Sequence, residues 1–335
     1  MRMRFLHIIL FFFCTILSRA QDIHFSQFYQ SPFSLNPALT GQFDGDWRFV
    51  GNQRTQWRSV TVPYSTWGIA VDKPHLTKQD INAGLSIFTD KAGDSQLTTT
   101  MINGAVSKAL VLPSRPQDQL TVGAMLGLTL MSIDYSALNY DNQWNGLFYD
   151  PSLSSGESYA RDSRAYMNLH IGGHYRRVVD DQKSWTLGTS IYNLSAPKQS
   201  FFDEAFVRLD PRWVLHGSYQ YKIDEQWTIE PMGLFMNQGK FREFDLGGRV
   251  HYTIQPNSWA YEALYAGAFA RTKDAGYLLA GIRYHQWDVG VSYDINLSDL
   301  EPASNNRGGL EFGVIYIIPP SPKIAPVRKV CPDYI

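Results

Sequence analysis

Few residues in this sequence have both the types and the spacing that a chemical site requires. His170 and His174, with Arg176, share the polar face of one predicted strand, and residues four apart on a strand lie about 13 Å apart. A single metal ion would need a further ligand from a neighbouring strand, so a hydrogen-bonded wall is the simpler interpretation. The sequence has no GxSxG, HExxH, Walker-loop or CxxC pattern. We therefore predict no catalytic residue, no metal and no cofactor, and the protein is not expected to be an enzyme.

Charged residues fall on the inward faces of several predicted strands. Glu230, Arg249, His251, Asp288 and Asp294 alternate with apolar neighbours that point the other way. They would either line a pore or form a closed ion-pair network. If the predicted strands, about fourteen in number, close into a barrel, its lumen is wide enough to hold water or to need a plug. Inward loops or the segment 21–44 could fill it.

Aromatic residues supply the other candidate contacts. Trp144, Phe148 and Tyr149 lie in one long connection, and Phe201 and Phe202 lie in another. We take these five as candidate partner-binding residues, with sugar stacking as an alternative for the first three. Most tryptophans stand near strand ends, which is typical of the aromatic belts at a membrane interface.

The elements that must position these residues are strands. Polar and apolar positions alternate through nearly the whole chain after residue 44, most clearly in 245–252 and 287–296. We predict a transmembrane antiparallel β-barrel of about fourteen strands over residues 45–318, because most of the runs reach the 9–11 residues that a tilted strand needs to cross a bilayer. The predicted strands lie near 46–58, 64–73, 81–90, 95–109, 118–133, 163–179, 184–194, 210–223, 226–238, 243–254, 260–271, 275–284, 286–296 and 306–318.

The lengths of the connections predict an orientation. With the N-terminus in the periplasm, the connections after odd strands face outside, and they include the two longest, 134–162 and 195–209. The connections after even strands are short turns such as 180–183 and 223–226. Long loops outside and short turns inside are typical of outer-membrane barrels.

The N-terminus has the pattern of a secretory signal peptide. Arg2 and Arg4 precede an apolar run from Phe5 to Leu17, and Ala20 ends a small-residue cleavage site. We predict cleavage after Ala20 and delivery to the outer membrane of a Gram-negative-type cell. Cys14 leaves with residues 1–20, so Cys331 is the only cysteine of the mature chain and no internal disulfide forms.

Two segments are expected to lie outside the barrel. Residues 21–44 alternate weakly and contain Pro32 and Pro37, so we predict a periplasmic N-terminal segment. Residues 319–335 form a proline-rich tail that cannot pair as a central strand. Its basic residues are candidate partner-binding residues in a periplasmic docking segment: Lys323, Arg328 and Lys329.

Several blocks of the sequence resemble the PorP/SprF family. The most specific is 21–28, followed by Pro32 and by the block 35–41, which contains Asn36 and Pro37. Residues 293–296 and 306–311 are similar to that family's closing strands, and Cys331-Pro332 to its tail. Asn36 and Pro37 are further candidate partner-binding residues on this resemblance, although they equally suit a structural turn.

The resemblance implies an outer-membrane component of the type IX secretion system. Such proteins support the secretion or surface attachment of particular cargo, often gliding adhesins, and some associate with a periplasmic ring made by a lipoprotein and its partner. The polar lumen leaves an outer-membrane diffusion or small-solute channel as the alternative, and a soluble β protein such as a propeller as a third. Nucleic-acid binding is not expected, because the formal net charge is −1 and no basic field exists.

Overall fold

The computed structural model describes residues 22–56, 62–77, 79–112, 115–202, 207–256, 261–297 and 307–320. The predicted signal peptide, Cys331 and the tail beyond residue 320 lie outside these residues. The chain forms fourteen strands. They are β1 Trp47–Gln56, β2 Tyr64–Lys73, β3 Ile81–Ala92, β4 Leu97–Leu112, β5 Arg115–Ser132, β6 Ser163–Val178, β7 Lys183–Tyr192, β8 Arg212–Lys222, β9 Trp227–Gln238, β10 Phe241–Gln255, β11 Glu262–Arg271, β12 Ala275–Tyr284, β13 Trp287–Asn296 and β14 Arg307–Ile318.

Every strand pairs antiparallel with its neighbours in sequence, and β1 pairs with β14 to close the barrel. This seam runs from Trp47 opposite Ile318 to Thr55 opposite Leu310. Closure gives each described strand a partner on both sides, and a strand with a free side would expose unpaired backbone groups to the bilayer. The predicted barrel and its fourteen strands are therefore confirmed. The alternation of polar and apolar residues correctly indicates strands.

The two faces of the wall differ in the way that the alternation predicts. Outward side chains are large and apolar, and Met167 is the most exposed of them on the strands at 66%. Inward side chains such as Arg249 and Asp294 are buried and polar. Lipid therefore meets the apolar stripe, whereas the charged stripe depends on partners inside the lumen.

Tryptophans mark both ends of the outer wall. Trp47 and Trp287 begin β1 and β13 and are exposed, and each contacts another outward aromatic ring. Trp67 and Trp213 are exposed at the opposite end of the barrel. At these four strand ends, the tryptophan rings are exposed, as an interface belt requires.

Short helices lie in the N-terminal segment and in the longest connection. They are the 3-10 helix Phe28–Gln30, the single α-turn Pro32–Leu35, and the 3-10 helices Pro37–Leu39, Tyr135–Ala137 and Asp141–Gln143. None of the helices in the described part of the chain has the length and hydropathy needed to cross a membrane.

The N-terminal segment lies inside the barrel, so its predicted place outside is wrong. We call residues 22–46 the lumen segment. Ser26, Gln27, Asn36 and Ala38 are fully buried within it. The two prolines and the weak alternation exclude a strand, as predicted. They do not exclude burial, because the inward wall offers hydrogen-bond partners for the polar groups of the segment. The alternative in which this segment fills the lumen is the one found.

The connections have the predicted asymmetry. Those after odd strands include residues 133–162 and 193–211, and we call this end of the barrel the loop end. The opposite end carries short turns such as 179–182 and 223–226, and we call it the turn end.

Candidate functional site

The lumen segment is held at the loop end by a buried cluster of charges. The Glu311 carboxylate accepts hydrogen bonds from the backbone N–H groups of Ser26 at 2.7 Å and Gln27 at 2.8 Å. The Ser26 hydroxyl donates to Asp294 at 2.8 Å, and Arg54 pairs with the same carboxylate at 2.9 Å. Charge-assisted bonds of this kind are stronger than neutral ones and fix geometry. The first turn of the segment is therefore bonded directly to the β13–β14 wall.

Arg271 is the centre of this cluster. Its side chain is fully buried and lies 3.0 to 3.5 Å from four carboxylates, those of Glu243, Asp245, Asp274 and Asp294. It also donates to the Ser26 hydroxyl at 2.8 Å. Four carboxylates so close together would repel one another strongly in a low-dielectric lumen. The guanidinium thus holds the wall and the lumen segment together at once.

A second ion pair holds the segment at the turn end. Arg48 and Asp72 approach to 2.6 Å, and both side chains are buried. Asp72 also accepts from the Gly41 backbone N–H at 2.6 Å, while Arg48 donates to the Leu39 carbonyl at 3.0 Å. The pair satisfies backbone groups that a chain without regular secondary structure would otherwise leave unpaired.

Between these ends, the Asn36 side chain is held against β6, β7 and β8. Its Nδ2 donates to the Gly173 carbonyl at 2.9 Å and lies 3.1 Å from Nε2 of His216, while its Oδ1 accepts from the Ala38 N–H. Asn36 thereby caps the 3-10 helix that begins at Pro37.

Glycines in the wall make room for this turn. A Cβ on Gly172 would overlap Oδ1 of Asn36, and one on Gly123 would lie 2.5 Å from the backbone nitrogen of Ala38. A Cβ on Gly188 would overlap the His216 ring. Gly172 thus allows the lumen segment to approach the wall more closely than a residue with a side chain would.

Aromatic rings fill the middle of the lumen. Phe28 packs edge-on against Phe269, which stacks on Tyr277 with the ring planes 4° apart. Phe25 contacts Phe88 on the opposite wall. The segment therefore contributes apolar as well as polar contacts, and its burial stabilises both itself and the wall.

The charged residues predicted to face inward form ion pairs rather than free charges. Glu230 lies 2.7 Å from Arg249 and 3.2 Å from His251, and Asp288 lies 2.8 Å from Arg283. Of the two interpretations of these residues, the closed network matches their contacts.

His170 and His174 also make their contacts with other residues of the wall. Nδ1 of His170 accepts from the Asn193 backbone N–H at 3.0 Å, and the His174 ring stacks on that of His216. Among the residues described, no group of three or more His, Cys, Asp or Glu side chains is arranged to hold a metal ion.

A second candidate site lies on the loops, beyond the barrel. Trp144 and Tyr149 pair as an isolated bridge around a turn in which Asn145 Oδ1 accepts two backbone N–H groups. The turn projects apolar side chains: Leu147 is 83% exposed, and Trp144 and Phe148 are each 58% exposed. We call residues 144–149 the loop hairpin. Exposed apolar groups clustered in this way mark interaction surfaces.

The two long connections contact each other through aromatic rings. Tyr159 stacks on Tyr135 at 3.6 Å between centroids, and Phe202 of the other connection lies 6.4 Å from Tyr159. Arg164 also donates to the Ser200 carbonyl. Hydrogen bonding to Ser136 holds the pKa of Asp134 below its ordinary value, and Ser152 does the same for Asp150. The loop end is therefore a structured, partly apolar surface with ionised carboxylates.

The structure thus separates the residues singled out in the sequence. Asn36 and Pro37 are buried in the lumen, so they present no surface to a partner and act as the structural turn. The exposed members are Trp144, Phe148, Tyr149 and Phe202, while Phe201 is half-buried. Lys323, Arg328 and Lys329 lie outside the described residues.

Sequence reasoning missed the wall partners of the lumen segment. Ser26, Gln27 and Gln30 carry no chemical motif, yet Gln30 donates to the Tyr265 hydroxyl at 2.9 Å. A usable signal was present: polar residues alternate with Phe25, Phe28 and Tyr29 in a segment that predicts neither helix nor strand.

Three solved structures with similar backbones are a transporter, a channel and a porin, each at low identity. The toluene transporter TbuX of Ralstonia pickettii has 9% identity and a TM-score of 0.47, covering 84% of this chain and 91% of its own. The monoaromatic hydrocarbon channel CymD has 10% identity and a TM-score of 0.47, covering 85% and 92%. A KdgM porin has 10% identity and a TM-score of 0.36, covering 80% and 98%. Among curated proteins, none matches this chain.

The sequence itself matches a family model across most of its length. Residues 17–316 fit the model described as type IX secretion system membrane protein PorP/SprF. That range contains the lumen segment and nearly all of the barrel wall, including both anchoring ion pairs. The closed antiparallel barrel and this match together place the protein in the outer membrane. The chain belongs to the PorP/SprF family of type IX secretion system membrane proteins.

Proposed function

We propose that this barrel is a non-enzymatic outer-membrane component that supports the secretion or surface attachment of particular type IX cargo proteins, such as adhesins. The observation that carries the proposal is the loop hairpin. Its three large apolar side chains are exposed, although Asn145 accepts two backbone N–H groups of the hairpin and Gln143 accepts from the Tyr149 hydroxyl. An ordered apolar surface of this kind suits a protein partner, because little conformational entropy is lost on binding.

The orientation follows from the connections. With the long loops outside the cell, the loop hairpin and Phe202 face exported cargo. The turn end then faces the periplasm, where the ring lipoprotein and its partner are the proposed contacts. The basic tail residues Lys323, Arg328 and Lys329 remain candidates for that second interaction. A signal peptide cleaved after Ala20 is part of the same proposal.

The channel alternative has less support. The lumen segment narrows any path for solutes, and Arg271 and Arg48 hold this segment at opposite ends of the barrel. Among the described residues, the inward charges of Glu230 and Asp288 are also paired rather than free to attract solutes.

Gene deletion with complementation tests the secretion role. The secreted and surface proteomes of the deletion strain are compared with those of the complemented strain by quantitative mass spectrometry. We expect the loss of one or a few proteins that carry the system's C-terminal signal, with the other cargo exported normally. Unchanged export of every such protein would refute the proposal.

A further inference from the structure

The lumen segment crosses the barrel in a single direction. Its C-terminal end is at the turn end, where the Asp46 backbone N–H donates to the Ile318 carbonyl at 2.7 Å and β1 begins. Its Gly41 N–H binds Asp72, close to the end of β2. From there, the chain runs backwards through the turn at Asn36 towards the middle of the lumen, where Gln30 meets Tyr265.

The other end of the segment emerges at the loop end. The Asp22 backbone N–H donates to Gln238, the last residue of β9, at 3.0 Å. The Asp22 carboxylate accepts from Asn193, the residue after β7, at 2.6 Å. The next residue, Ile23, accepts through its carbonyl from Arg212, the first residue of β8. All three wall residues lie at the loop end, and Asn193 and Arg212 lie where β7 and β8 meet the long connection 193–211.

We infer that the mature N-terminus opens on the cell surface, beside the long loops, rather than in the periplasm. The crossing itself follows from the contacts at both ends. That the loop end faces the cell surface rests on the orientation in the proposed function. The new N-terminal residues then belong to the same face as Asn193 and the connection that carries Phe202, so exported partners meet a free α-amino end there.

This path also orders the steps of assembly. β1 and β14 pair along their length, so the segment must be in the lumen when the seam closes, or must pass through as a chain with a free end. Either route requires that residues 1–20 have been removed, because a leader held in the inner membrane could not reach the outer end of the barrel.

Cysteine reporters test where the N-terminus emerges. In a Cys331→Ser background, three single reporters are made: a Ser-Gly-Cys-Gly-Ser insertion between Gln21 and Asp22, Leu147→Cys in the loop hairpin, and Glu225→Cys in an exposed turn between β8 and β9. Intact and permeabilised cells are treated with a membrane-impermeant maleimide. Heat-modifiable mobility on gels confirms that each variant is folded.

We expect the insertion and Leu147→Cys to be labelled on intact cells, and Glu225→Cys only after permeabilisation. Labelling of the insertion together with Glu225→Cys, and not with Leu147→Cys, would overturn the inference. If Glu225→Cys alone is labelled on intact cells, the orientation in the proposed function is wrong and the surface position falls with it. The shared behaviour of the insertion and Leu147→Cys would still show that the segment crosses the lumen.

A crosslink tests the crossing independently of orientation. Asp22→Cys with Asn193→Cys should form a disulfide in purified outer membranes, seen as a mobility shift that reductant reverses. Asp22→Cys with Asp72→Cys is the matched pair, because Asp72 binds the opposite end of the segment. Crosslinking of the second pair in place of the first would show that the segment enters and leaves at the turn end.

Discussion

Glu311 and Ser26 are joined at 2.7 Å, with the Ser26 backbone N–H donating to the carboxylate. Glu311 belongs to the last strand of the barrel, and Ser26 to the segment that lies within it. Both residues are buried, and the other carboxylate oxygen accepts from the Gln27 N–H. The wall and the lumen segment therefore satisfy each other's polar groups, so loss of contacts on one side should lower the stability of the other.

Removal of the Glu311 carboxylate should loosen the lumen segment. Glu311→Ala leaves two buried backbone N–H groups without acceptors and removes one partner of Arg54, at a cost of about 3 kcal/mol in the free energy of unfolding. Urea unfolding in lipid vesicles, followed by tryptophan fluorescence, measures this cost. Glu225→Ala, in an exposed turn, is the matched control and should change stability by less than about 0.5 kcal/mol. Equal effects of the two variants would contradict this role of Glu311.

Arg271→Met should be more damaging. The substitution keeps much of the side-chain volume but leaves four neighbouring carboxylates without their shared cation, which costs about 4 kcal/mol. We expect a large fall in the heat-modifiable, folded fraction recovered from outer membranes. Arg242→Met, at an exposed position near the start of β10, should leave that fraction unchanged. Normal assembly of Arg271→Met would show that the four carboxylates do not need the guanidinium to balance their charge.

Two adjacent glycines in β6 provide a matched test of close approach. A Cβ at Gly172 would overlap Asn36, whereas one at Gly173 would meet no atom within 4 Å. Gly172→Ala should lower the unfolding free energy by about 2 kcal/mol through overpacking, and Gly173→Ala should be nearly neutral. Thermal unfolding in detergent compares the two. The same loss for both would mean that the strand resists any side chain here and that Asn36 is not the cause.

Deletion of residues 22–44 should open the lumen. A barrel of fourteen strands is wide enough to hold water once its protein contents are removed. In planar bilayers, we expect steady ionic currents from the deletion variant and none from the intact protein. Current of similar size from the intact protein would support the channel alternative instead.

Polar substitutions in the loop hairpin should affect cargo and leave the barrel intact. Trp144→Ser, Leu147→Ser and Phe148→Ser combined remove the exposed apolar surface without touching the wall. The variant should fold normally but lose at least tenfold in the surface level of its cargo, by quantitative mass spectrometry. Glu157→Gln with Ser158→Ala, exposed in the same connection, should leave cargo unchanged. Full cargo levels in the hairpin variant would remove this surface from the proposal.

The wall of the barrel was predictable because its signal is local. A strand between lipid and lumen must alternate, so residues such as Leu246 and Asp245 reveal their faces from sequence alone. The connection lengths predicted the two ends for the same reason. Trp144 and Phe148 in the longest connection are exposed, and their role in binding a partner stays a prediction. Asn36 and Pro37 are candidate partner-binding residues only through the family resemblance, and nothing local in the sequence distinguishes a buried turn from a docking motif.

The sequence by itself determined that this chain closes into a membrane barrel, which residues face inward, and which connections are long. Each of these follows from a period or a length that neighbouring residues share. Only the tertiary structure decided that residues 22–46 fill the lumen and cross it from the turn end to the loop end. That outcome depends on pairings between distant residues, such as Ser26 with Glu311 and Asp22 with Asn193. The burial of two complementary polar surfaces selects such pairings, and no local pattern in either surface reveals them.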